Sequence, residues 1–157
     1  MIVFSNTTPL IALSSIQRLD LLPQLFQRVH VVREVVEECM AGGPIVVPDL
    51  QRLDWIELVE STIVVHPSVL LELDKGEKHT IDMARKLNAD WVVLDEKIGR
   101  NMAEYLGLRV TGTLGVLLKA RQQGLIPSFL ESVAAMQARG IYYHPLLVHK
   151  LATGIGE

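Results

Sequence analysis

Short runs of apolar, mostly β-branched residues alternate with helical patterns along most of this chain. The runs are Ile2 to Phe4, Val29 to Val32, Ile63 to Val65, Trp91 to Leu94 and Leu108 to Thr111. Most of them are apolar at consecutive positions, which is typical of strands covered on both faces. The helical patterns span Pro9 to Ser15, Leu19 to Phe26, Arg33 to Ala41, Gly76 to Leu87, Ile98 to Leu106 and Gly112 to Gln122. This alternation predicts a parallel, doubly wound α/β sheet.

The end of the chain follows a different pattern. Beyond Gly124 it is helical throughout, with segments from Ser128 to Ala138 and from Pro145 to Ala152. The chain has 157 residues, 49% hydrophobic and 21% charged, which is the composition of an ordinary globular domain. No internal repeat or low-complexity linker divides it. We therefore expect a single domain over residues 1–157, in which residues 127–157 form a helical C-terminal extension.

Charge and cysteine content exclude several classes of function. The formal net charge is −3, whereas general nucleic-acid-binding proteins are more often basic, so any such contact must use a local patch. Cys39 is the only cysteine, which rules out an intrachain disulfide and a cysteine metal cage. The start of the chain has no basic leader, and no apolar run approaches the roughly 20 residues of a membrane span. We expect a cytoplasmic protein with no membrane partner.

Four acid or amide side chains stand where an ordinary core would have something else. Asn6 follows the first apolar run and Asp95 ends the fourth, so both are expected at the carboxyl ends of strands, where parallel sheets bind ligands. Helical periodicity places Glu38 at the edge of an apolar arc and Glu77 at the head of a buried stripe. Oxygen donors gathered from separate elements in this way most often hold a hard divalent cation.

Each of these residues could also have an ordinary structural role. Asn6 could cap the helix that follows it, and Asp95 could be a turn residue. Glu77 could be a first-turn glutamate, favoured by the helix dipole by about 0.3–1 kcal/mol. The dipole does not explain why Glu77 lies on the apolar face. The same helical wheels place Glu37 and Asp82 on the solvent side.

Other signals are weaker. The five histidines do not have the spacing of a zinc site. The stretch Gly112-Thr113-Leu114-Gly115 opens a helix and could bind an anion, but it lacks a full dinucleotide fingerprint, and a threonine-capped helix start explains it equally. No phosphate loop follows the first strand, so a flavodoxin-like nucleotide binder ranks well below the two hypotheses developed next.

Five stretches occur in a recognisable order along the chain. They are Ser5 to Leu13, Val35 to Glu38, Asp74 to Glu77, Val93 to Arg100 and Val110 to Leu118. On these stretches the chain resembles the PIN-domain family, whose best-known bacterial members are VapC-type toxin ribonucleases, and it looks closest to an uncharacterised PIN-like branch. The resemblance covers roughly Met1 to Pro127 and continues more loosely beyond. It implies a Rossmann-like, three-layer α/β/α sandwich and a Mg²⁺- or Mn²⁺-dependent nuclease.

The resemblance also assigns roles to individual residues. The catalytic and metal-binding set that it implies is Asn6, Glu38, Glu77 and Asp95, with Glu96 as a fifth candidate. The substrate-binding candidates beside this set are Lys97, Arg100, Thr111 and Thr113. Lys97 and Arg100 would contact RNA phosphates, although they can also be read as ordinary solvated residues at a helix start. All of these residues are expected to meet at the carboxyl ends of the central strands.

Asn6 departs from the family pattern, in which most nucleases carry an aspartate. An amide oxygen can coordinate Mg²⁺ but brings no negative charge, so metal affinity would fall. Two hypotheses follow. The first is a PIN endoribonuclease that acts as the toxin of a toxin–antitoxin pair, with RNA as substrate and a small antitoxin encoded beside it. The second is a PIN-fold RNA- or protein-binding module with a weakened site.

The C-terminal extension suggests self-association. The segment from Ser128 to Ala152 carries more apolar residues than packing on one side requires. We expect its helices, or the early helix from Leu19 to Phe26, to join in a symmetric homodimer. The alternative is that the extension covers the sheet of its own chain.

Overall fold

A computed structural model of the chain describes residues 1–62, 70 and 72–157. In this part of the chain, five strands form one sheet: β1 (Val3–Ser5), β2 (Val29–Val32), β3 (Ile56–Val59), β4 (Trp91–Val93) and β5 (Val110–Thr111). The strand order is β3-β2-β1-β4-β5, and every pairing is parallel. The predicted doubly wound parallel sheet is therefore confirmed.

Eight α-helices surround the sheet in the described residues. They are α1 (Thr7–Ser15), α2 (Leu21–Phe26), α3 (Arg33–Met40), α4 (Lys75–Lys86), α5 (Lys97–Tyr105), α6 (Thr113–Gln122), α7 (Phe129–Ala138) and α8 (Pro145–Gly154). Local signals fix their ends, and α4 is an example. The Asp74 carboxylate accepts a hydrogen bond from the Glu77 N–H at 2.9 Å, which caps the helix, and Ile81 and Ala84 supply a buried stripe. The three-layer α/β arrangement is confirmed.

The sequence patterns did not predict the edge strand β3. Its apolar residues are only half-buried and it carries the charged Glu57, so it lacks an apolar run. The strand predicted from Ile63 to Val65 lies outside the described residues.

The prediction that Asp82 faces solvent is wrong. Its side chain is buried, and its carboxylate pairs with Lys86 at 2.9 Å and with Arg85 at 3.2 Å. A single apolar stripe was assumed for α4, but α4 packs against α3 as well as against β1 and β2, so more than one side of the helix is covered.

The sheet has its topological switch point between β1 and β4. The chain builds β1, β2 and β3 outward in one direction, then returns to place β4 on the other side of β1. Ser5 is level with Val93, and the Asn6 N–H continues the pairing by donating to the Val93 carbonyl at 3.0 Å. Ligands bind at such a point, outside the carboxyl ends of the strands. Asn6 and Asp95 both lie there.

The apolar side chains predicted to join in a dimer are largely buried within the chain. In α2 and α7 these are Leu21, Leu22, Leu25, Phe26, Phe129, Val133 and Met136. In the extension, α8 leaves Leu146 and Leu147 exposed, and α7 leaves Leu130 exposed. The alternative, that the extension covers its own chain, therefore describes α7. Within the described ranges, no helix has both the length and the apolar character needed to cross a bilayer.

Candidate metal and nucleic-acid site

Asn6 occupies the N-cap position of α1 but does not act as a cap. Its backbone is extended, with φ −82° and ψ 176°, yet its side chain makes no capping hydrogen bond. The residue is 3% exposed, and its Oδ1 atom has no hydrogen-bond partner among the described residues. A buried acceptor left unpaired costs about 1–3 kcal/mol. Asn6 is therefore not a capping residue, and its amide oxygen is free to bind something else.

Glu38 is the exposed acid of the site. We call the space outside the carboxyl ends of β1 and β4, beside Asn6, Glu38, Glu77 and Asp95, the crevice. Helical periodicity predicts Glu38 at the edge of the apolar arc of its helix, and in the structure the residue is exposed. Its carboxylate nevertheless points toward neighbouring elements and accepts a short hydrogen bond from the Thr7 hydroxyl. A Cβ atom on Gly76 would lie only 2.5 Å from Glu38 Oε1. The carboxylate is thus held between the starts of α1 and α4.

Glu77 is the buried acid of the site. It is 7% exposed, and a Cβ on Gly99 would lie 2.9 Å from its Oε2 atom. Burial raises the pKa of Glu77 to about 8, helped by a hydrogen bond with Asp74 and by the charges of Asp74, Glu96 and Glu38. These negative charges add to the shift because they disfavour the ionised form of Glu77. Glu77 is therefore mostly protonated at neutral pH when no cation is bound.

Asp95 lies at the carboxyl end of β4, but its oxygens are already engaged. Oδ1 accepts from the Thr113 N–H at 2.6 Å, and Oδ2 accepts from the Thr113 hydroxyl at 2.7 Å and from the Tyr143 hydroxyl at 3.3 Å. Burial and the Asp95 charge raise the pKa of Tyr143, so this phenol remains a donor. In this arrangement, Asp95 accepts a hydrogen bond from a backbone N–H in the first turn of α6, which has no partner within the helix.

Tyr143 was missed in the sequence analysis. It lies between α7 and α8, nearly 50 residues from Asp95 along the chain. The available signal was an aromatic residue in the short connection between two helices, where polar residues are usual. That signal does not indicate which residue the aromatic side chain contacts.

The remaining candidates line the crevice in different ways. Glu96 is exposed and caps α5, because its carboxylate accepts from the Gly99 N–H at 2.8 Å. Lys97 is exposed. Arg100 is half-buried, and Thr111, whose hydroxyl packs against Gly115, lines the same cavity as Asp95. Of the two threonines, Thr113 is the one that is hydrogen-bonded to a predicted acid.

Each of the three carboxylates Glu38, Glu77 and Asp95 packs against a glycine. Gly76 lies against Glu38 and Gly99 against Glu77. Gly112 lies against Asp95, since a Cβ there would be 2.8 Å from Asp95 Oδ1. Gly76 and Gly99 are in the first turns of α4 and α5, and Gly112 is the N-cap of α6. Glycine inside a helix costs about 1 kcal/mol relative to alanine. That cost was the available signal that these positions serve another purpose.

The oxygen donors of the site suit a divalent cation chemically, although they do not lie close together. In residues 1–62, 70 and 72–157, no three Asp, Glu, His or Cys side chains are close enough to enclose a metal ion. Asn6 adds an unpaired amide oxygen, and Glu38 and Glu77 add carboxylates. Hard oxygen donors of this kind suit Mg²⁺ or Mn²⁺. Asn6, Glu38 and Glu77 are therefore the residues that would hold the ion, while Asp95 would act through Thr113.

Comparison with known proteins gave one match. A family model described as a PIN domain matches residues 2–157. No curated protein and no solved structure showed significant similarity to the chain. The match spans all five stretches of the resemblance. Because PIN domains are generally nucleases, it supports a nuclease-type fold.

Proposed function

The chain belongs to the PIN-domain family, and on that premise we propose that it is a Mg²⁺- or Mn²⁺-dependent endoribonuclease, the toxin of a toxin–antitoxin pair. The observation that carries this proposal is the buried Asn6 Oδ1 atom, which no described residue satisfies. It lies at the switch point of the sheet, where α/β proteins bind ligands. An oxygen donor kept unpaired in that place suits a cation site.

The ion would be held by Asn6, Glu38 and Glu77. When bound, it would lower the pKa of a water molecule and stabilise charge on the scissile phosphate. The Thr7 hydroxyl orients the Glu38 carboxylate. Glu77 must lose its proton on binding, because its raised pKa keeps it protonated near neutral pH.

The other residues would position the RNA and exclude water. Asp95 fixes the start of α6 through Thr113, and Tyr143 closes that side. Lys97, at the start of α5, would contact RNA phosphates, and Arg100 on the same helix would contact the RNA beside them. Phosphodiester hydrolysis by a site of this kind depends mainly on positioning and electrostatics.

A second candidate function is a PIN-fold module that binds RNA or protein without cutting. Two observations favour it. Asn6 supplies no charge, and the described acids are not gathered closely enough to enclose an ion. With Glu77 protonated, the site attracts a dication less strongly than one with four carboxylates would.

We also propose two protein partners. The first is a small antitoxin, whose basic tail would occupy the acidic crevice. The second is another copy of the chain, joined in a symmetric dimer through the exposed face of α8, where Leu146 is 73% exposed. Light scattering that shows a monomer at high micromolar concentration would refute the dimer.

The test of function compares three proteins on one structured RNA over a Mn²⁺ series. Glu77→Gln should lower cleavage by several orders of magnitude, because it removes a carboxylate proposed to hold the ion, and it should leave RNA binding in EDTA nearly unchanged. Asn6→Asp should tighten metal binding and raise cleavage, because it adds a negative charge at a buried position. If native, Asn6→Asp and Glu77→Gln proteins are equally inert yet bind RNA alike, the protein is a binding module.

A further inference from the structure

A cavity of about 270 Å³ opens beside Asp95, between α6, α8 and the end of β5. Four leucines line it, Leu114 and Leu118 from α6 and Leu147 and Leu151 from α8. This volume lies just below the usual range of ligand pockets, about 300–1,000 Å³. The cavity therefore suits one small, largely apolar group.

Four polar side chains border the cavity, Asp95 and Thr111 among them, and the other two can each contact a flat ligand. The first is Tyr143, which also reaches Asp95. The second is Arg100, whose guanidinium forms no ion pair with any described residue. Arg100 Nη1 and Asp95 Oδ1 each lie 2.8 Å from the point that a Cβ on Gly112 would occupy. A half-buried arginine left unpaired beside an acid and an apolar cavity can offer its donors to a ligand.

We propose that this cavity binds one unpaired nucleobase of an RNA, next to the phosphate held at the crevice. The inference rests on the proposed function, since it places the RNA at the same crevice. Leucine side chains and the Tyr143 ring would contact the faces of the base, and Arg100 would donate to acceptor atoms on its edge. Single-stranded RNA is recognised through these two kinds of contact, apolar or aromatic on the face and hydrogen-bonding on the edge.

The chemistry of the cavity favours a base over a phosphate or a sugar. A phosphate gains nothing from four leucines, and desolvating it there would be costly. A ribose has hydroxyls all round, and those facing the four leucines would stay unpaired. A base is flat and apolar on its faces, and its polar atoms are confined to its edge, where Arg100 lies.

The test measures RNA binding in EDTA, so it does not depend on cleavage. The probes are short, labelled, single-stranded RNAs and the same RNAs carrying one abasic residue at each position in turn. Leu147→Trp fills the cavity, and Ala135→Trp is the control on the neighbouring helix α7, where Ala135 is exposed and outside the cavity wall. Light scattering and circular dichroism check that both variants keep the native mass and helix content.

Removing the base at one position should weaken binding to the native protein about tenfold, the order expected for losing one stacked base. Leu147→Trp should lose the same factor with intact RNA and bind the abasic RNA as the native protein does. Ala135→Trp should match the native protein throughout. Should Leu147→Trp fail to fold, Arg100→Gln serves instead. This variant should reduce the difference in affinity between intact and abasic RNA. Loss of a phosphate contact would instead lower the affinity for both RNAs equally.

Three results would overturn the proposal: no binding of RNA by the native protein, no position at which the abasic residue matters, or equal affinities of Leu147→Trp and native protein. The last would leave the cavity to an apolar side chain of a protein partner. Cleavage of the same RNAs with Mn²⁺ is recorded separately. If the protein does not cleave RNA but its binding depends on the base, the nuclease proposal is refuted and the base site is supported. If the protein cleaves RNA but Leu147→Trp does not change its affinity, the nuclease proposal is supported and the base site is refuted.

Discussion

At the scale of single residues, the site depends on side chains that do not fill the ordinary structural roles of their positions. Asn6 is placed as a helix cap and caps nothing. Glu77 is placed as a first-turn glutamate, but it is buried and its pKa is raised to about 8. Asp95 shows the opposite case, because its contacts with Thr113 give it a structural role that the sequence did not indicate. These residues give predictions that do not require knowledge of the RNA target.

Glu77 should make the stability of the metal-free protein depend on pH. Its pKa is about 8 in the folded state and 4.5 for an ordinary glutamate, so the native state holds the extra proton between these values. The free energy of unfolding should therefore fall as pH rises from about 4.5 to about 8, and then level off. Urea unfolding in EDTA at several pH values measures this, and Glu77→Gln should remove that part of the slope. Glu104→Gln, at an exposed position, should keep the native slope.

Asp95→Ala should destabilise the protein. The mutation leaves the Thr113 N–H without its acceptor in a buried first turn of α6, which costs about 1–3 kcal/mol. Asp95→Asn keeps one acceptor oxygen and should lose less. Urea unfolding with an unchanged m-value gives both numbers. A loss below about 0.5 kcal/mol in Asp95→Ala would show that Asp95 does not support α6.

At the scale of elements, three helix starts converge on the crevice, and each brings a glycine against a carboxylate. The approach of α4 to α3 is close because Gly76 has no side chain, which leaves room for Glu38. Gly99 in α5 does the same for Glu77, and Gly112 before α6 does so for Asp95. The acids thus owe their positions to the packing of neighbouring helices.

Gly76→Ala tests this arrangement. The new Cβ would lie 2.5 and 2.8 Å from the two oxygens of Glu38, so the carboxylate must move. Glu38 is a flexible side chain, and alanine favours the helix by about 1 kcal/mol, so stability should hold or rise. Cleavage should fall about tenfold or more, the usual order for misplacing a catalytic group.

The matched control is Gly154→Ala, since Gly154 is also helical and a Cβ there would meet nothing within 4 Å. It should leave the rate of cleavage unchanged. Native-level cleavage by Gly76→Ala would argue against a role for Glu38.

The sequence was informative about elements for a clear physical reason. Helices and central strands leave local patterns, such as the cap at Asp74 and the apolar run at Trp91–Val93. The edge strand β3 leaves a weaker one, because half-buried positions tolerate charges such as Glu57. Contacts between distant segments leave no local pattern at all. The bonds of Asp95 to Thr113 and Tyr143, and the burial of Asp82, belong to that class.

At the scale of the whole molecule, the proposed metal donors come from parts of the chain that are far apart in sequence. Asn6 follows β1, Glu38 belongs to α3 and Glu77 to α4. None of these positions is fixed relative to the others in the unfolded chain. An ion bound by all three therefore binds the native state and not the unfolded one, and it must stabilise the fold as a unit.

Mn²⁺ should accordingly raise the melting temperature. At a concentration a hundred times its dissociation constant, the ion adds about 2.7 kcal/mol. For a chain of this length, that corresponds to a shift of about 5–10 °C. The shift should be larger at pH 8 than at pH 6, because binding requires Glu77 to lose a proton that its pKa of about 8 retains.

Differential scanning calorimetry over a Mn²⁺ series, repeated for Glu77→Gln and Glu104→Gln, separates this effect from ions bound elsewhere on the surface. Glu77→Gln removes a donor and should abolish most of the shift and its dependence on pH. Glu104→Gln removes the same charge at an exposed position and should leave both intact. Equal shifts in the two variants would mean that the ion binds outside the crevice. No shift in the native protein at millimolar Mn²⁺ would favour the binding module over the nuclease, because a site that binds no cation cannot activate water through one.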